Sequence, residues 1–122
     1  MLARRYRFHG YGSLQYLFRH GKTIRGRYIL LRYIKNERRP HGRISVIVSK
    51  KIAKSAVVRN RIRRRVFEAI RLQQPRFEGA HDLAFIIVSQ DIIDSKSTEL
   101  VKDIETTLQR ARIWHSNRSQ TD

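Results

Sequence analysis

The chain has 122 residues, 40% of them apolar, which is enough for one domain with one core and too little for two. It contains no cysteine, which excludes disulfides and thiolate metal sites. Its net charge is +17 and unevenly spread: residues 1–77 hold 22 Lys and Arg against two acids, Glu37 and Glu68, for +20, and residues 78–122 hold five against eight, for −3.

Such an asymmetry presents a positive surface to a polyanion, with nucleic acid the first candidate and an acidic membrane surface the second. Arginine heavily outnumbers lysine, which suits bidentate contact with phosphate and stacking on bases. The membrane alternative needs a basic helix with a bulky aromatic or leucine face, and the most basic segment lacks one. The longest uncharged apolar runs, Ile44 to Ser49 and Leu83 to Gln90, are strand-length and far below the ~20 residues that span a bilayer. Met1-Leu2-Ala3-Arg4-Arg5 is not followed by the apolar stretch of a signal peptide, so a soluble cytoplasmic protein is expected.

Residues 1–12 are basic, aromatic and punctuated by glycine, and read as an extended arm in which Tyr6, Phe8 and Tyr11 can stack on bases. Ser13 is placed to cap a short helix from Leu14 to His20, with Gly21 at a left-handed terminus and Leu14, Leu17 and Phe18 on one face. Strands are expected at Lys22 to Arg25 and Arg27 to Lys35, and then a turn over Asn36 to Gly42. A strand from Arg43 to Ser49 follows, with Ile44, Val46 and Val48 alternating onto one face.

The strongest helix signal is Ser55 to Leu72. At 100° per residue, Val58, Ile62, Val66, Ala69 and Ile70 fall in an arc of about 120°. Arg59 and Arg63 border that arc on one side, Arg61 and Arg65 on the other, while Asn60, Arg64 and Arg71 lie opposite. Pro75 and Gly79 end the helix. His81 to Ser89 is a strand buried on both faces, and a last helix from Thr98 to Arg112 carries Leu100, Val101, Ile104, Leu108 and Ala111 on its inner stripe. Trp114 anchors that helix, and residues 115–122 form a frayed tail. The whole is one α+β domain over residues 1–122, ordered α-β-β-β-α-β-α, with helices largely on one side of a single sheet.

The run Ser49-Lys50-Lys51-Ile52-Ala53-Lys54-Ser55-Ala56-Val57-Val58-Arg59-Asn60-Arg61-Ile62-Arg63-Arg64-Arg65 closely resembles the signature of the bacterial ribonuclease P protein family. There a strand ends in a Ser-Lys-Lys step, a short loop follows, and a helix opens into Arg-Asn-Arg and further basic residues. Physics independently favours a phosphate partner for these residues. Each guanidinium can form paired charge-assisted hydrogen bonds to phosphate, and like charges this close are unfavourable without a counter-anion. Asn60 both donates and accepts, so it can orient an arginine or hold backbone, which another arginine cannot. Arg59 and Arg63 have the alternative of laying their stems along the core edge.

The resemblance implies a four-stranded mixed sheet packed with helices, a fold class shared with a small-subunit ribosomal protein domain. It also implies a left-handed β-α-β crossover, against the usual right-handed rule. It implies a subunit, monomeric alone, that binds the catalytic RNA of ribonuclease P and the 5′ leader of precursor tRNA. The RNA performs a Mg2+-dependent hydrolysis, and the protein holds no cofactor of its own. RNA-binding candidates by position are Lys50, Lys51, Lys54, Arg59, Asn60, Arg61, Arg63, Arg64 and Arg65. Leader-cleft candidates are Phe18, Leu14, Tyr28 and Arg32. Phe18 can equally be core filler, and Tyr28 and Tyr33 can be core or cleft. Leu14 stands where the family often has an aromatic, and Phe67 where a further basic residue is common.

A stand-alone nuclease is disfavoured. Metal-dependent cleavage needs clustered carboxylates, and metal-free cleavage needs a poised histidine pair. The five histidines, His9, His20, His41, His81 and His115, are scattered singly. A ribosomal or other structural RNA-binding protein of similar fold is the runner-up, and the Arg59-Asn60-Arg61 signature favours the ribonuclease P family over it.

Overall fold

The computed structural model describes residues 11–35, 43–73 and 81–111, with side chains from position 15 onward. The elements run α1 (Tyr11–His20), β1 (Lys22–Arg25), β2 (Ile29–Lys35), β3 (Arg43–Ile47), α2 (Ala56–Gln73), β4 (His81–Ile87) and α3 (Ser97–Arg110), with a 3-10 helix at Gln90–Asp94. The four strands make one mixed sheet in the spatial order β1-β2-β4-β3. β2 is antiparallel to β1 and β4, whereas β3 is parallel to β4, so α2 is the crossover between them. Strand β4 is interior, which is why Leu83, Ala84 and Phe85 are buried in succession.

Alternation along the strands gives the sheet two different faces. On one, Ile29, Leu31, Ile44, Val46, Leu83, Phe85 and Ile87 join the apolar stripes of α2 and α3 in the main core. Helix α2 contributes Ile62, Val66, Phe67, Ala69 and Ile70, and α3 contributes Leu100, Ile104 and Leu108, each fully or nearly fully buried. Burying one such side chain contributes about 1.5–3 kcal/mol, so these stripes rather than helix propensity hold α2 and α3 in place. The other face carries Thr23, Leu30, Arg32, Ser45, Ile47, Ala84 and Ile86 in lateral register. There Arg32 donates to the carbonyls of Phe18 (2.6 Å) and Gly21 (3.2 Å), tying the end of α1 to the strand. Helix α1 therefore lies across the sheet from α2 and α3, so two of the three helices share the main core face.

Several boundaries differ from expectation for local reasons. Helix α1 already includes Tyr11, so Ser13 is inside it and not its cap. Gly21 is not left-handed: its amide bonds the Leu17 carbonyl at 2.8 Å, and an added Cβ would lie 2.5 Å from that same oxygen. Close approach, not a positive φ, is what glycine provides there. β2 starts at Ile29 and not Arg27, because the amides of Arg27 and Tyr28 are taken by the Asp103 carboxylate of α3 at 2.7 and 2.9 Å. Ser55 caps α2, its hydroxyl accepting from the Val58 amide at 3.4 Å. Phe67 is buried in the core, which explains an apolar residue at that point of a basic helix. The Tyr6 and Phe8 arm, Trp114 and the tail lie outside the described residues.

Across the parallel pair, Arg43 and Asp82 stand in register and form a two-point ion pair, Nε–Oδ1 3.2 Å and Nη2–Oδ2 2.8 Å. Both side chains are more than nine-tenths buried. Nothing in the sequence pattern singled out this pair.

Candidate RNA interface

Leaving β3, the chain turns through Ser49 to Ser55 before α2 begins. Ile52 and Ala53 fold inward as an apolar anchor, and their amides both reach the Ser49 carbonyl at 3.1 and 3.3 Å. That leaves Lys50, Lys51 and Lys54 exposed around the anchor. Arg59, one turn into α2, donates through Nη1 to the carbonyls of Ala53 (2.9 Å) and Lys54 (2.8 Å). Arg59 thus closes the loop onto the helix, and its other nitrogens stay available at a half-exposed site.

Along α2 the arginines divide into three kinds. Arg61 and Arg64, three residues apart on one helix face, are exposed and have no acceptor among the described residues. Arg63 is oriented by Asn60, whose Oδ1 accepts from Nη1 at 2.6 Å, the service expected of an asparagine in this position. Arg65 points the other way. Its guanidinium donates to the carbonyls of Ile92 (2.8 Å) and Ser95 (2.7 Å) and to Ser95 Oγ (3.1 Å). Both terminal nitrogens thereby bond the protein, so Arg65 braces the 3-10 helix, unlike Arg61 and Arg64. Glu68 does not neutralise the patch: its carboxylate is held by Arg71, whose hydrogen bond keeps Glu68 below the usual carboxylate range.

The leader-cleft candidates separate as well. Phe18 is 38% exposed, so it is not core filler; Leu17 beside it is the fully buried residue of α1. The Arg32 guanidinium lies 6.0 Å from the Phe18 ring centre and also donates to Thr23 Oγ1 at 3.2 Å. Phe18 and Arg32 thus share a half-exposed surface with Leu30, Ile47 and Ile86, all on the sheet face that α1 crosses. Those three apolar residues were legible as the second phase of the strand alternation but drew no attention as a surface. Leu14 lies in α1, with its side chain outside the described set. Tyr28 is not in this cleft. It is buried in the main core, its hydroxyl donates to Glu99 of α3 at 3.2 Å, and burial pushes its phenol pKa up.

The comparisons with known proteins identify the family. The ribonuclease P family profile matches residues 2–112. The chain belongs to the ribonuclease P protein family. The ribonuclease P protein component of Roseiflexus castenholzii is 35% identical over 120 residues, spanning 98% of this chain and 97% of its own. That of Chloroflexus aurantiacus is 32% identical over 120 residues, spanning 98% and 87%. Among solved structures, a mutant Staphylococcus aureus RNase P protein matches with a TM-score of 0.82 at 24% identity, covering 91% of this chain and 92% of that one. The Thermotoga maritima RNase P protein matches at 0.76 and 20%, covering 85% and 96%. At these identities the structures speak for the fold, and the four-stranded mixed sheet with three helices is the ribonuclease P protein fold. A ribonuclease P protein component is part of a tRNA-processing endoribonuclease and a partner of ribonuclease P RNA.

Proposed function

We propose that this chain binds the ribonuclease P RNA through Lys50, Lys51, Lys54, Arg61, Arg64 and the free edges of Arg59 and Arg63. The 5′ leader of precursor tRNA lies on the sheet face beside Phe18 and Arg32. Bond cleavage belongs to the RNA, and the protein, a cytoplasmic monomer when free, supplies binding and orientation. The observation that carries this reading is the pairing of exposed Arg61 and Arg64 on the helix that follows three exposed lysines, with the Glu68 carboxylate of that helix already held by Arg71. An external polyanion relieves that repulsion, and phosphates match its geometry.

The magnesium requirement belongs to the ribonucleoprotein as a whole. Among the described residues no three His, Asp or Glu side chains are placed to hold a metal ion, and Asp82 is bound by Arg43.

Titrating the Arg61→Ala/Arg64→Ala double variant against a bacterial ribonuclease P RNA tests the interface. Assembly should weaken by about 3–6 kcal/mol, on the scale of two lost charged hydrogen bonds. At saturating protein, cleavage of precursor should return to the parent rate. Unchanged assembly would remove α2 from the interface.

A further inference from the structure

The 3-10 helix Gln90–Asp94 follows β4 and is seated by Ile92, which is fully buried. Its far end is fastened to α2 by the three hydrogen bonds from Arg65 to Ile92 and Ser95. Its near end reaches the lysine loop, where Gln90 Nε2 donates to the Lys51 carbonyl at 2.8 Å, a contact between residues 39 apart in sequence. On the other side of the same loop, Arg59 holds the Ala53 and Lys54 carbonyls. Three backbone carbonyls of a segment bearing three exposed lysines are thus gripped from two directions.

Gln90 and Lys51 are both exposed, so their bond adds little to the stability of the fold. Its consequence is conformational. Three mutually repelling lysines on an unbraced loop would spread over many shapes, and ordering them on binding would cost affinity. We propose that Gln90 is a positioning residue for RNA binding, the contact through which the 3-10 brace, anchored by Arg65, holds Lys50, Lys51 and Lys54 in the arrangement that meets phosphates. This rests on reading the lysine loop as part of the RNA interface. It also gives Arg65 a role: an arginine of the basic helix that serves the interface from behind.

The test compares the full chain and its Gln90→Ala variant for binding to a bacterial ribonuclease P RNA over a series of salt concentrations. The same substitution is made in a chain with Lys50, Lys51 and Lys54 all replaced by alanine. In the parent, Gln90→Ala should weaken binding by about three- to tenfold, the worth of one hydrogen bond, with an unchanged melting curve. The plot of log affinity against log salt should become shallower by about 1, one phosphate contact. In the chain with the three loop lysines replaced, the substitution should change affinity less than about twofold, since the two sites act through one another. Unchanged affinity and slope in the parent would overturn the proposal, as would an equal loss in both chains, which marks a merely structural role. If the chain with the three loop lysines replaced binds as well as the parent, the interface reading itself fails, whatever Gln90 does.

Discussion

Phe18 and Arg32 occupy the sheet face opposite the main core, and the exposure of Phe18 decides what its loss should do. A ring 38% exposed at a helix edge adds little to the core, so Phe18→Ala should leave the melting curve close to that of the parent. If a leader base stacks on it, the variant should bind leader-bearing precursor about 1–3 kcal/mol more weakly while binding mature tRNA as before. Parallel binding assays with the two RNAs check this, and equal losses for both would remove Phe18 from the leader surface. Asp82 differs in kind. Its carboxylate faces Arg43 with both groups out of water, so Asp82→Ala takes the two-point partner from a buried guanidinium and should cost about 3–5 kcal/mol in urea denaturation. Replacing both partners by apolar residues of similar volume should cost much less.

At the scale of elements, α3 is more than a core helix, because it also fixes the β1–β2 turn. Asp103 takes the amides of Arg27 and Tyr28, Glu99 accepts from Arg27 and Tyr28, and a Cβ on Gly26 would sit 2.8 Å from Asp103. Asp103→Ala should therefore destabilise by about 1–3 kcal/mol, with hydrogen exchange accelerated at the Arg27 and Tyr28 amides. This clamp also shows where sequence reading stops. The apolar arcs of α2 and α3 and the alternation in β3 were legible because periodicity reports which face is buried. Lys50, Lys51, Lys54 and Arg59 to Arg64 stood out through the resemblance to the family signature, and for the arginines of α2 the crowding of like charges independently favours an anion. Periodicity could not tell that Tyr28 turns under α3, since a single aromatic before a strand carries no phase. Nor could it separate Arg65 from Arg61. The two share one flank of the helix arc, and only the Ile92 and Ser95 carbonyls, 27 and 30 residues away, draw Arg65 inward. The 3-10 helix that supplies those carbonyls is too short to leave a periodic signal.

Over the whole molecule, the +20 of residues 1–77 and the −3 of residues 78–122 correspond to a division of labour. The chain through α2 supplies the lysine loop, the arginine face and the α1 surface, whereas the later part supplies the interior strand, the brace and the α3 clamp that hold them. The central claim is that this surface assists an RNA that does the cleaving. Its most direct test is cleavage of precursor tRNA by a bacterial ribonuclease P RNA at low magnesium, with and without the chain, beside the RNA-free chain alone. Cleavage by the RNA alone should be slow, addition of the chain should restore cleavage at the mature 5′ end, and the chain alone should cut nothing. Cleavage by the RNA-free chain, or an RNA whose rate the chain leaves unchanged, would contradict it.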